Sequence, residues 1–199
     1  MFISFEGIDG SGKSTQARRL AETLRQSGRQ VVLTREPGGS PGAEEIRRLL
    51  VEGGNERWSP ETELLLFTAA RRDHVERVIE PAMARGDWVI TDRFADSSRV
   101  YQGAARASLR DLVEALHDLT IRLEPDLTFV IDLDPAISLG RGRARGGIED
   151  RFEGMGLTFQ QRLRDGFLAL AAEAPQRIRV IDGSGSEDEV AARVLAALP

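Results

Sequence analysis

Cysteine is absent from the 199 residues. A disulfide framework, a thiolate metal site and a cysteine nucleophile are therefore excluded, and the composition fits a reducing compartment. Long apolar runs are missing too; no stretch approaches the ~18 residues that span a bilayer. The opening MFISFEG enters a strand directly, without the basic start and apolar run of a signal peptide, so a cytoplasmic protein with no membrane partner is expected. Only two histidines occur, His74 and His117. Both fall in helical patterns, where solvation or helix capping is their expected role. Excess positive charge is lacking: the net charge is −5, which argues against a nucleic-acid-binding surface. Lysine is scarcest of the charged types, with one, Lys13, among 27 basic residues.

Short apolar strands alternating with helical patterns fill the chain. Strands are predicted at Phe2 to Phe5, Gln30 to Thr34, Trp88 to Thr91, Asp126 to Leu133 and in RIRVI. Helical spacing places Ala17, Leu20, Ala21 and Leu24 on one face, with Gly28 as the stop. Pro60 opens a long helix to about Ile79, kinked or restarted at Pro81. A later helix carries Leu112, Val113, Leu116 and Leu119 on its apolar face. Such alternation predicts an α/β fold: a five-stranded parallel sheet with helices on both faces, in one domain spanning 1–199.

The lone lysine lies in FEGIDGSGKST. The pattern from Gly7 to Ser14 is a phosphate loop, set between a strand and a helix as the P-loop NTPase fold requires. Glycines let backbone N–H groups of Gly7, Ile8, Asp9, Gly10, Ser11, Gly12, Lys13, Ser14 and Thr15 converge on a polyphosphate. Lys13 is expected to reach the β- and γ-phosphates of ATP, and the Ser14 hydroxyl to hold Mg²⁺. One feature runs against this: Asp9 places a carboxylate inside an anion cradle, with Glu6 just before it. The fold alone does not choose between a GTPase, a motor ATPase and a small-molecule kinase.

Two further segments narrow the choice. TREPGGSPG (Thr34 to Gly42) and TDRFADSSRVYQG (Thr91 to Gly103) both start at strand C-terminal ends, where ligands gather in open α/β sheets. With FEGIDGSGKST, the helix LLLFTAARRDH and the Arg-rich segment before EDRFE, they resemble the thymidylate kinase family along nearly the whole chain. The resemblance implies transfer of the ATP γ-phosphoryl group to dTMP, with Mg²⁺, by a homodimer. It implies that Phe67 stacks thymine and Arg71 meets a ring carbonyl; these residues are one helical turn apart and share a face. It assigns Ser98 and Gln102 to the base edge, Tyr101 to the sugar's 2′ position, and Arg35 and Arg93 to the acceptor phosphate, with Arg47 a weaker candidate. A cis Pro37 is implied near the sugar. Asp9 is then expected to turn from the polyphosphate toward the deoxyribose 3′-OH and to approach Mg²⁺, and Asp92 to orient the metal's shell. The consecutive Leu64, Leu65 and Leu66 give one helix more apolar surface than a single buried stripe needs, in keeping with a dimer.

Phosphoryl transfer between two polyanions needs charge neutralisation and exclusion of water. Residues 139–154 bring Arg141, Arg143, Arg145 and Arg151 together among glycines, a composition suited to a mobile cationic lid. The family resemblance makes Arg141 or Arg145 the residue closing over the transferring group, with Arg141 also near adenine and the turn IDGSG (Ile181 to Gly185). In this bacterial type of the family the loop position Gly10 is not an arginine. No general base is needed, because a phosphate monoester with a second pKa of about 6 is already largely ionised near neutrality. A kinase for another nucleotide or a nucleoside, and a non-catalytic nucleotide sensor, remain the alternatives.

Overall fold

The computed structural model of the chain describes residues 1–52, 57–106, 109–145 and 156–199. Strands β1 (Phe2–Glu6), β2 (Val31–Arg35), β3 (Trp88–Asp92), β4 (Leu127–Asp132) and β5 (Ile178–Asp182) form one parallel sheet in the order β2-β3-β1-β4-β5. The expected sheet is therefore present, with β1 at its centre and every β1 residue buried. Alternation along β1 divides the cores. Ile3 and Phe5 pack with Leu20 and Leu24 of α1 (Lys13–Gln26) and Val190 and Val194 of α9 (Glu187–Ala196) on one face. Phe2 lies on the other with Phe94, Ile79 and Val89. A neighbouring cluster joins Val130 to Leu163 and Phe167 of α8 (Leu157–Glu173). The chain leaves β1 toward β2 but leaves β3 toward β4. These opposite crossovers open a crevice at the carboxyl ends of adjacent strands β1 and β3.

Helix α2 spans Pro41–Val51. Helix α3 (Pro60–His74) starts where expected, with Pro60 in its first turn and the Ser59 hydroxyl accepting from the Thr62 N–H. It ends earlier than its periodicity suggests: a π-helical segment, Val75–Ile79, intervenes before α4 (Glu80–Ala84). Pro81 thus sits at the start of α4, directly after the π-helical segment. A second π-helical segment, Arg99–Arg106, continues α5 (Ala95–Ser98), and a third, His117–Ile121, continues α6 (Arg110–Leu116). The expected apolar face of that helix is only partly the buried one. Val113, His117 and Ile121 point inward, whereas Leu112 and Leu119 are exposed. The run 135–145 is helical, α7 (Pro135–Arg145), although its glycines and arginines read as part of a lid; residues 146–154 of that lid lie outside the described residues. Among the described residues no helix is long and apolar enough to cross a membrane.

Candidate active site

The phosphate loop leaves β1 and turns into α1 through Gly12, whose φ of 98° suits glycine. Gly10 has a second constraint. Its φ is +82°, and a Cβ there would collide with the backbone carbonyl of Ser138 on α7. The Ser138 hydroxyl in turn donates to the Asp9 carbonyl, so α7 closes one side of the loop. A large side chain at Gly10, arginine included, would have to displace that helix.

Asp9 turns toward the end of β3 while keeping contact with Lys13. Its Oδ1 accepts from Arg93 Nη2 at 2.5 Å and from Lys13 Nζ at 3.2 Å, and its Oδ2 accepts from the Tyr101 hydroxyl at 3.3 Å. Burial opposes ionisation of this carboxyl, but Arg93 and Lys13 outweigh it and hold Asp9 well below the usual carboxylate range. Burial lowers the Lys13 pKa, and the like charge of Arg93 adds to that. The carboxylate that looked misplaced in an anion cradle is the link between that cradle and the end of β3. Asp92, at that end, has a buried Oδ1 with no hydrogen-bond partner among the described residues. An orphaned carboxylate oxygen beside a phosphate loop, with the exposed Ser14 at the head of α1, is a donor set that fits a hard divalent cation. The Asp9 carboxylate is already engaged by three donors.

Arg93 is built into the site rather than laid across it. Its backbone φ of 72° is unusual for a non-glycine residue and aims its side chain back over the loop. Nη1 donates to Ser97 Oγ at 2.9 Å, and Nη2 donates to Tyr101 as well as Asp9. The guanidinium also lies 5.1 Å from the centre of the Tyr101 ring. Ser97 Oγ in turn donates to Glu6 Oε2 at 2.6 Å, while Glu6 Oε1 accepts from the N–H groups of Phe94 (2.7 Å) and Ser97 (3.2 Å). Glu6 therefore anchors the turn that carries Arg93.

Glu6 is fully buried, and burial pushes its carboxyl up to about 7, with the charge of Asp96 adding to the rise and Arg93 pulling partly back. A carboxyl raised on folding favours the folded state fully below its unfolded pKa, and that contribution is lost as pH rises through the folded value. From an ordinary value of 4.5 to about 7, the loss amounts to about 3 kcal/mol. The urea stability of wild type relative to Glu6→Gln is expected to decline by that order between pH 4.5 and pH 7.5. Parallel stability curves across this window would contradict it.

The base-edge candidates form two facing ladders. Glu63, Phe67 and Arg71 lie one turn apart along α3; Ser98 and Gln102 lie one turn apart along α5 and its π-helical continuation. Arg71 Nη2 donates to Ser98 Oγ at 3.1 Å, and Gln102 Nε2 donates to Glu63 Oε1 at 2.9 Å, with half-buried Phe67 between the two rungs. Arg71 also donates through Nε to Glu36 Oε2 at 2.7 Å and through Nη2 to the Phe94 carbonyl at 3.1 Å. His74 is fully buried, bridging Glu36 Oε1 (3.0 Å) and Thr34 Oγ1 (2.7 Å), which corrects its expected solvation. His117 is likewise buried, against Glu124, four residues after inward-facing Val113.

Comparison with known proteins decides what this crevice belongs to. A family model described as Thymidylate kinase matches residues 5–194. The chain belongs to the thymidylate kinase family. Thymidylate kinase of Dinoroseobacter shibae is 70% identical over 196 residues, covering 98% of this chain and 95% of that protein. Thymidylate kinase of Ruegeria pomeroyi is 64% identical over 194 residues, covering 98% and 92%. The crystal structure of thymidylate kinase from Ehrlichia chaffeensis superimposes with a TM-score of 0.80 at 38% identity, covering 100% of this chain and 98% of that one.

Within this thymidylate kinase scaffold, Lys13, Asp9, Arg93 and Tyr101 converge, and Arg71 meets Ser98. The Glu36–Pro37 peptide is cis. Arg35 stands apart from that convergence: its exposed guanidinium pairs with Glu44 at 3.1 Å. Arg47 donates to the Pro37 carbonyl. Arg141 is exposed on α7, and the turn after β5 is drawn toward α1 by Gln16 Nε2 donating to the Glu187 carbonyl at 3.1 Å. The side chains of Arg143 and Arg145, and all of Arg151, lie outside the described residues. Sequence reasoning missed Glu36, Glu63 and Ser97. A glutamate beside a proline, a glutamate on the Phe67 face of a helix and a serine in a serine pair carry no signal until their partners are known.

Proposed function

We propose a division of labour in the crevice for phosphoryl transfer from ATP to dTMP, giving ADP and dTDP. Lys13 and the Gly7–Thr15 backbone hold the triphosphate, and Arg93, with Arg35 approaching from β2, clamps the phosphate of dTMP. Asp9 faces the deoxyribose and keeps Arg93 aligned. Phe67 stacks on thymine, Arg71 and Ser98 serve one ring carbonyl, Gln102 serves the adjoining edge, and Tyr101 crowds the 2′ position. Ser14 and Asp92 would hold Mg²⁺, which neutralises charge on the donor phosphates when bound. Arg141 or Arg145 closes from the lid of residues 139–154 of the single domain. The attacking oxygen belongs to a phosphate that is already ionised, so the chain supplies position and charge and no general base.

The contact carrying this reading is the 2.5 Å pair between Asp9 of the donor loop and Arg93 at the end of β3, which supports donor and acceptor subsites sharing one wall. A nucleoside kinase would need a base for a hydroxyl and would have no use for Arg93. ADP release should be followed across dTMP, dUMP, dCMP and thymidine. The expected order has dTMP fastest and thymidine inert; consumption of another acceptor with dTMP untouched would overturn it. Exposed Leu65, Leu112 and Leu119 on α3 and the α6 segment support a homodimer, and the cysteine-free composition supports a cytoplasmic one.

A further inference from the structure

We infer that Glu63 determines base specificity by fixing which end of the Gln102 amide faces the nucleobase. The inference rests on the reading that Gln102 meets the base edge, and deepens it. Glu63 is fully buried on α3, on the same face as Phe67 and Arg71, and Gln102 is 1% exposed opposite it. A carboxylate can only accept, whereas a primary amide has a donating and an accepting end of nearly the same shape. The 2.9 Å contact from Gln102 Nε2 to Glu63 Oε1 therefore commits the NH₂ group to α3 and leaves the carbonyl Oε1 to serve the base.

That orientation selects by chemistry. Thymine and uracil carry a hydrogen on N3 and need an acceptor there; cytosine N3 is itself an acceptor and would face the Gln102 oxygen with no proton between them. A site built around a buried polar partner rejects the mismatched analogue strongly, because both groups lose their hydrogen bonds. At the other rung Arg71 can only donate, which suits a ring carbonyl and opposes the amino group of cytosine. Glu63 and Arg71 thus set opposite polarities at two adjacent positions of the ring, and the half-buried Phe67 face between them has no preference of its own.

Replacing Glu63 with glutamine keeps the shape but lets residue 63 donate, so the Gln102 amide can turn over. In Glu63→Gln the ratio of kcat/KM for dTMP to that for dCMP is expected to fall about ten-fold or more, through a higher KM for dTMP and a lower one for dCMP. The fall stays partial because Arg71 still opposes cytosine. The ratio of dTMP to dUMP is expected to hold within two-fold, since both bases present the same N3–H. General loosening of the pocket would move both ratios together, and that result, or an unchanged dTMP:dCMP ratio, overturns the inference. Glu63→Asp is the second variant: it withdraws the acceptor without allowing donation, so dTMP should weaken while dCMP gains nothing. Gln102→Ala separates the two layers. If its KM for dTMP is unchanged, the base-edge reading itself fails; if that KM rises while Glu63→Gln keeps wild-type discrimination, only the role of Glu63 fails.

Discussion

Replacing Arg93 with alanine is expected to lower kcat/KM for dTMP by about 10³-fold or more, the scale on which arginines act in phosphoryl transfer. The reason lies in how much of the site is organised around this one guanidinium. Its Nη1 and Nη2 are held by Ser97, Asp9 and Tyr101, and burial, which would by itself lower its pKa, is outweighed by the surrounding Tyr101, Asp9, Glu6 and Asp92, so that it stays charged at any working pH. An incoming phosphate dianion meets a cation whose direction is already set, and little reorganisation is left for the moment of reaction. Alanine at position 93 would do more than delete a contact. Asp9 would be left with Lys13, at 3.2 Å, as its cationic partner. Glu6 would lose the charge that partly offsets the rise in its pKa. Arg93→Lys keeps the charge and loses the fork, so it should recover only part of the loss. Affinity for ATP, measured without acceptor, should change by less than ten-fold. An Arg93→Ala enzyme within ten-fold of wild type toward dTMP would show that the acceptor phosphate is held elsewhere.

Much of this arrangement was legible in the amino-acid order, and the illegible part has a common cause. The alternation of short apolar strands with helices announces a parallel sheet, because the inner strands β1, β3 and β4 are buried on both faces and read as continuous apolar runs. Gly7 to Ser14 is readable because backbone N–H convergence requires glycines at fixed spacing. Phe67 and Arg71 are readable as a pair because helix geometry puts residues one turn apart on one face. The end of α3 was not, since the same residues can satisfy either an α- or a π-helical ladder and their periodicity does not separate the two. The burial of His117 was not legible either, since its partner Glu124 comes from the segment beyond the helix. The buried acids escaped for a related reason. Glu6, Glu36 and Glu63 are each paired with residues distant in sequence: Phe94 and Ser97, then Arg71 and His74, then Gln102. A lone glutamate in a sequence reads as a solvated surface charge, and only the folded neighbourhood reverses that.

Glu36→Ala is expected to destabilise the protein by about 3–5 kcal/mol, the usual consequence of stripping a buried ion pair of one partner. Arg71 and Glu36 are both nearly inaccessible, and the pair joins at 2.7 Å. Without Glu36 the guanidinium keeps the Phe94 carbonyl and the Ser98 hydroxyl, neither of which carries a compensating charge, and His74 loses its Nδ1 partner. The pH dependence has a definite sign. Burial disfavours the Glu36 carboxylate, but Arg71 and His74 outweigh it, so the folded pKa lies below the ordinary 4.5. Its contribution to stability is therefore present above 4.5 and is lost as pH falls through the depressed folded value. Urea unfolding of wild type and Glu36→Ala should differ most at pH 6 to 8, and the gap should narrow at pH 3.5. Glu36→Gln should fall between them, since an amide oxygen can still accept from Nε but supplies no charge. Function should follow stability here. Arg71 freed from Glu36 can swing from the base edge, so KM for dTMP should rise in Glu36→Gln more than kcat falls. A Glu36→Ala protein within about 1 kcal/mol of wild type would mean that Arg71 reaches solvent when unpaired, and a guanidinium that mobile could not present a fixed donor to one ring position of a pyrimidine.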